Sequence, residues 1–180
     1  SYLETYNRSI TGDSAQRILL SNRKGIILFD GIEWEIIQTP QTPLIIQSYK
    51  AGKIILAGMH NEIGYIIPDR YRQYRYHQIK TGTAHPGAIH SIHIDKNNIY
   101  FLGDSAILIY DKDLTFDYQI RADKNEMISG IFSHSGRTYI QTNGRGICEI
   151  SGRQLQTVQS KDNNFRKKLI FSVSLNDSIT

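Results

Sequence analysis

The chain is poor in the features that announce chemistry most directly. Its single cysteine, Cys148, excludes an internal disulfide. No run of 18 apolar residues occurs, so no segment reads as a membrane-spanning helix. Ser1 opens no signal-peptide pattern and is not an initiator methionine, so the chain is expected to be a mature or excised piece of a longer protein. There is no Gly-x-Ser-x-Gly nucleophile elbow and no Cys-His grouping at zinc spacing. No low-complexity tract or second domain is visible. Charge of one sign is missing too: 21 basic against 17 acidic residues leave a net +4, which permits an anionic partner without requiring one. Hydrophobic residues make up 39% and mean hydropathy is −0.37, low for a compact globule.

What the chain does have is tyrosine (11 residues) and abundant isoleucine, the aromatic and β-branched mixture that suits pleated surfaces. It also has a degenerate repeat. Gly25-Ile26-Ile27-Leu28-Phe29-Asp30 returns as Gly64-Tyr65-Ile66-Ile67-Pro68-Asp69, as Ala106-Ile107-Leu108-Ile109-Tyr110-Asp111, and as Gly146-Ile147-Cys148-Glu149-Ile150-Ser151. From Gly25 to Gly64 to Ala106 to Gly146 the intervals are 39, 42 and 40 residues. A period near 40 filled with short β runs predicts propeller blades. The fold expected is all-β: a partial propeller of about four four-stranded antiparallel blades plus the start of a fifth.

The units are placed at about 15–39, 44–79, 88–121 and 127–159, with a remnant at 169–180. The third is the clearest, with strands at 88–95, 99–103, 106–111 and 115–121 separated by Asn, Asp and Gly turns. In the first unit the inner strand is weak, or lies within residues 2–11. Leu169 to Leu175 reads as the first strand of a fifth unit. Polar linkers at 39–43, 80–87, 122–126 and 160–168 would carry the chain from an outer strand to the next inner strand.

Each candidate for chemistry has a plainer structural reading. His90 and His93 lie three apart on one expected strand, so they face opposite ways and cannot chelate one metal. The basic, tyrosine-rich run from Arg70 to His77 falls on an outermost strand, where charge keeps the edge soluble, so no nucleic-acid partner is expected. Asn143-Gly144-Arg145-Gly146 joins two strands and opens no helix, so it is no phosphate cradle. Cys148 reads as a packing residue. Gly25 and Gly64 are expected to permit tight hairpins, Asp30-Gly31 to form a turn, and Trp34 to be buried between the first two blades. If a ligand binds, polar turn residues are the expected contacts: His60, Asn61, Glu62, Asp104 and Arg145. They would lie on the face of the strand-two-to-three turns, or else the contact is on the opposite face, near the linkers.

The first two units also carry a recognisable wording. Asn22-Arg23-Lys24-Gly25-Ile26-Ile27-Leu28-Phe29-Asp30-Gly31-Ile32-Glu33-Trp34 resembles a line of the two-component regulator propeller family, and Asn61-Glu62-Ile63-Gly64-Tyr65 is similar to a run one blade later in it. The resemblance covers about residues 17–151, the later units being ordinary propeller wording. It implies a periplasmic sensor region of a bacterial signalling protein, with a membrane span and a kinase or DNA-binding output module outside this chain. The chain holds fewer blades than that family's rings.

The function expected is a non-catalytic sensor or ligand-binding module, taking a small molecule or oligosaccharide and needing no cofactor or metal. The alternatives are a propeller enzyme acting on glycans and a protein-interaction scaffold. An arc of four blades exposes apolar end faces, so self-association through the end blades is expected, most simply as a two-fold dimer.

Overall fold

The computed structural model describes residues 6–71, 73–82 and 84–158. The described residues form sixteen strands and no helix. They are β1 (Asn7–Gly12), β2 (Ile18–Asn22), β3 (Gly25–Phe29), β4 (Trp34–Ile37), β5 (Ile45–Tyr49), β6 (Ile54–Gly58), β7 (Ile63–Pro68), β8 (Tyr74–Ile79), β9 (Ile89–Ile94), β10 (Asn98–Gly103), β11 (Ala106–Asp111), β12 (Phe116–Arg121), β13 (Ile128–His134), β14 (Arg137–Thr142), β15 (Gly146–Ser151) and β16 (Gln154–Thr157). They pair in chain order as four antiparallel four-stranded meanders, β1–β4, β5–β8, β9–β12 and β13–β16, which are four blades of a propeller. The third strand of every blade coincides with the repeat. The expected fifth-unit strand and the linker at 160–168 lie outside the described residues.

Burial explains the sequence of each strand. Middle strands are covered on both faces and therefore read as unbroken apolar runs, as in β3 (GIILF) and β11 (AILIYD). Outer strands keep one face wet: β8 (YRYHQI) exposes Arg75, His77 and Gln78 and holds the outermost place in its sheet, as its charge implied. Three apolar seams join the blades. Leu19, Ile26, Leu28 and Ile37 of blade 1 meet Ile46, Ile55, Ile66 and Tyr74 of blade 2. Leu56 and Ile63 meet Phe101, Leu108 and Tyr110 across the second seam, and Tyr100, Ile107 and Ile109 meet Ile128 and Ile140 across the third. Each fully buried Ile or Leu stabilises by about 1.5–3 kcal/mol. Cys148 is fully buried, as a packing residue should be.

Three expectations are corrected. Trp34 is 48% exposed. Its cross-strand partner is Phe29, on which it stacks at 4.4 Å between ring centroids. Strand parity is the reason: Ile37 faces blade 2, and Trp34, three residues earlier, points the other way. Trp34 shares that outward face with Ile10 and Ile18, which are also exposed.

The second correction concerns Gly64, which lies within β7 without a positive φ. Its role is close approach, since a Cβ there would run into the Tyr76 ring. The left-handed residue of that hairpin is Asn61 (φ 55°). Gly25 does take a positive φ (131°), and a Cβ there would meet the Ile37 carbonyl.

The inner strand of blade 1 is β1, at Asn7–Gly12, close to the expected residues 2–11. Third, the linkers do not lie opposite the strand-two-to-three turns. An antiparallel meander returns both to the same side, and Asn61 and Ser105 bond Gly87 and Pro86 there. We call this the linker face. The strand-one-to-two and strand-three-to-four turns form the opposite face.

Candidate functional site

On the linker face four of the five residues singled out above are side-chain braces, and His60 contributes through its backbone. Asn61 exchanges two 2.8 Å bonds with Gly87, its amide donating to the Gly87 carbonyl and its Oδ1 accepting from the Gly87 amide. His60 is exposed and forms a lone antiparallel bridge with Ala88. Asp104 accepts from the Ala88 amide at 3.1 Å. These three residues thus gather around Gly87 and Ala88, where the linker enters blade 3. Glu62 turns to the preceding linker, accepting from Gln41 at 3.2 Å and from the Tyr76 hydroxyl at 2.9 Å. Burial, with the Glu62 carboxylate beside it, pushes the Tyr76 phenol far above its usual range.

Arg145 serves the third linker. Its guanidinium grips Glu126, with Nη2 2.7 Å from Oε2, and lies 3.5 Å from Asp123. Glu126 is nearly buried and also accepts from Thr142. The Arg145 guanidinium holds the Glu126 carboxyl down at about 2, against the opposing effect of burial. A cavity of about 290 Å³ beside it, lined by Ile120, Asp123, Arg145, Arg153 and Leu155, opens between blades 3 and 4. Both Arg145 and Arg153 are already ion-paired there.

The opposite face carries polar groups that the sequence reading did not single out. Asp13, just after β1, has a fully buried side chain. Its Oδ1 accepts from the amides of Ala15 and Arg17, each at 2.9 Å. Its Oδ2 accepts from Arg17 Nε at 2.7 Å and from the Tyr74 hydroxyl of blade 2 at 2.8 Å. Burial pushes this carboxyl up, but these donors together hold it below its usual value.

Asp95 occupies the same place after β9. It accepts from Asn97 and Asn98 amides and from the Tyr100 hydroxyl, and takes the Thr138 hydroxyl of blade 4 at 3.0 Å. Thr138 meets Ser133, and Ser133 meets His93 Nε2 at 2.7 Å. Burial pushes the His93 imidazole down. The available signal was positional, an aspartate directly following an inner strand in units 1 and 3.

A second recurrent aspartate closes the turn after the third strand. Asp30 Oδ1 accepts from Ile32 and Glu33, Asp69 Oδ1 from Tyr71 and Gln73, and Asp111 Oδ1 from Asp113 and Thr115. Gly31 follows at φ 102°, so the Asp30-Gly31 turn forms as expected. Between the two kinds of turn, at the seam of blades 1 and 2, lies a cavity of about 410 Å³ lined by Ser14, Ala15, Arg17, Asp30, Pro68 and Tyr74. Among the described residues, no group of three or more His, Cys, Asp and Glu is placed to hold a metal.

No family model matches the chain, and no curated protein matches it by sequence. Solved structures do match it in fold. The WD40 β-propeller domain of Doa1 superposes with a TM-score of 0.65 at 10% identity, over 86% of this chain and 54% of that one. Virginiamycin B lyase from Staphylococcus aureus gives 0.63 at 12%, over 91% and 59%. The extracellular domain of BT4673 from B. thetaiotaomicron, described as a one-component or hybrid two-component system, gives 0.66 and 0.65 in two structures. Identity is 15% and 16%, over 90% of this chain and 23% of that one. The chain thus spans a quarter to three-fifths of the propeller chains compared here. At these identities the likeness establishes the propeller fold.

Proposed function

We propose that this propeller is a non-catalytic sensor module of a bacterial two-component signalling protein, placed on the periplasmic or extracellular side of the membrane. It would recognise a small molecule or oligosaccharide and report to an output module outside this chain. The observation that carries the reading is a coincidence of two likenesses. The Asn22–Trp34 and Asn61–Tyr65 wording resembles sensor propellers, and the fold overlaps the extracellular domain of BT4673 over 90% of this chain. The rigid scaffold suits this use, with turns braced to linkers and blades braced to one another. A ligand that binds one arrangement of blades better than another biases the output by that difference in affinity.

Self-association through an end blade belongs to the same reading. The two ends differ. Blade 1 turns Ile10, Ile18 and Trp34 outward, at 68, 42 and 48% exposure. Blade 4 turns outward a Phe132–Tyr139 stack together with Glu149 and Gln156. The apolar end is the one that gains by being covered.

The test uses the intact receptor. Replacing His60, Asn61, Glu62, Asp104 and Arg145 together by Ala should abolish or shift its ligand-dependent output while the receptor is still made and exported. Unchanged output would remove the linker face from the mechanism, and output unchanged after excision of the whole propeller would end the sensor reading.

A further inference from the structure

We propose that the wedge between blades 1 and 2 on the opposite face binds a neutral, polyhydroxylated ligand, a short oligosaccharide, through Arg17, Asp30 and Ser14. The inference rests on the ligand-binding reading above and adds to it a place and a chemical class. It begins from Asp13. Four donors saturate that buried carboxylate, and one of them is Arg17 Nε. The guanidinium is therefore held at its inner edge and lies over the Tyr74 ring, 5.0 Å from its centroid. Beyond Asp13 and the Tyr74 hydroxyl, its guanidinium bonds no other residue among those described. A long side chain fixed in this way has already lost the rotamer freedom that binding would otherwise remove.

Asp30 lines the same cavity. Its Oδ1 is used by two turn amides, and among the described residues no other residue donates to Oδ2. Those amides, of Glu33 and Ile32, hold the carboxyl below its usual value, so it is ionised at neutral pH. Ser14 supplies a hydroxyl, while Ala15, Pro68 and Tyr74 supply apolar surface.

Charge selects the class of ligand. Arg17, Asp13 and Asp30 sum to one negative charge, which disfavours phosphates and carboxylates. A cation attracted to Asp30 would share the cavity with Arg17. A hydroxyl both donates and accepts, so vicinal hydroxyls can satisfy a guanidinium and a carboxylate lining one cavity. The volume, about 410 Å³, falls within the range of small-molecule sites.

The wild-type chain would be screened against immobilised neutral oligosaccharides and uronic-acid-containing ones, and each hit measured by calorimetry. Asp30→Asn keeps the oxygen that caps the turn and removes the ionised acceptor. Arg17→Lys keeps the charge and removes the forked donors. The expected result is binding of a neutral glycan that weakens about tenfold or more in each variant, with thermal melting confirming that both fold. Three results would overturn the proposal: no neutral glycan bound by the wild type, stronger binding of the acidic glycans, or affinity unchanged in both variants. Binding that survives both variants but is lost on changing His60, Asn61 and Glu62 would move the site to the linker face and leave the sensor reading standing.

Discussion

The Tyr74 hydroxyl of blade 2 donates to the buried Asp13 carboxylate of blade 1 at 2.8 Å, so the first seam is closed by a charged hydrogen bond as well as by apolar packing. Thr138 and Asp95 repeat the arrangement between blades 3 and 4. In both cases the acceptor follows an inner strand and the donor comes from the next blade.

Removing that donor alone should be costly. Tyr74→Phe leaves the packing almost unchanged but takes one of four donors from a buried carboxylate. A loss of about 1–3 kcal/mol is expected, read as a lower urea midpoint with unchanged slope. An unaltered midpoint would show that the seam does not depend on the bond.

Acid should act through Glu126. Its folded pKa of about 2 lies below the ordinary glutamate value, so its contribution is complete above about pH 4.5. That contribution is lost as the pH falls from there towards 2. Melting temperatures followed down this window should drop more steeply in the wild type than in Glu126→Gln, which begins less stable at pH 7. Parallel curves would refute the assignment.

His93 responds in a different window. Burial lowers its folded pKa, so the neutral ring is the one accommodated against Ser133. Its contribution is present above the unfolded value near 6.5 and is lost as the pH falls through that value towards the folded one. An NMR titration should find His93 protonating below the ordinary imidazole value of about 6.5. A midpoint at or above that value would remove His93 from the seam's pH response.

Trp34→Ala should cost only about 1 kcal/mol, because a half-exposed ring leaves no core cavity. Its larger effect is expected on association. Light scattering of the wild-type chain in the micromolar range should show a dimer, and Ile18→Glu or Trp34→Glu should make it monomeric. A wild-type chain that is monomeric and stably folded across that range would rule out the end-blade contact.

The repeat made the blades legible because a middle strand buried on both faces has few residue types available, and Ile26–Phe29, Ile66–Ile67 and Ile107–Tyr110 announce themselves. β1 was harder to place: its sequence, NRSITG, is mostly exposed and polar. It instead uses Ser9 and Thr11 hydroxyls to accept the Ile46 and Ser48 amides of the neighbouring inner strand. Trp34 misled because size was weighed before parity. The linker-face residues were correctly placed in turns, yet only the fold reveals that Asn61, Glu62, Asp104 and Arg145 spend their polar atoms on neighbouring segments. Asp13 and Arg17 escaped notice because their partner, Tyr74, is 61 residues beyond Asp13.

The turn after β5 breaks the pattern of buried aspartates. Lys50 stands there, reaching an exposed Asp113 at 3.2 Å, and the polar link across the seam is instead neutral, the Tyr49 hydroxyl donating to the Lys112 carbonyl at 2.6 Å. The middle joint of the arc thus combines that bond with apolar filling, Phe101 and Tyr110 at its heart, and lacks the buried carboxylate of the joints on either side. Apolar cohesion fades on cooling. The place where the arc yields should accordingly depend on temperature: near freezing it should bend at its centre, with blades 1–2 and 3–4 moving as two stiff halves.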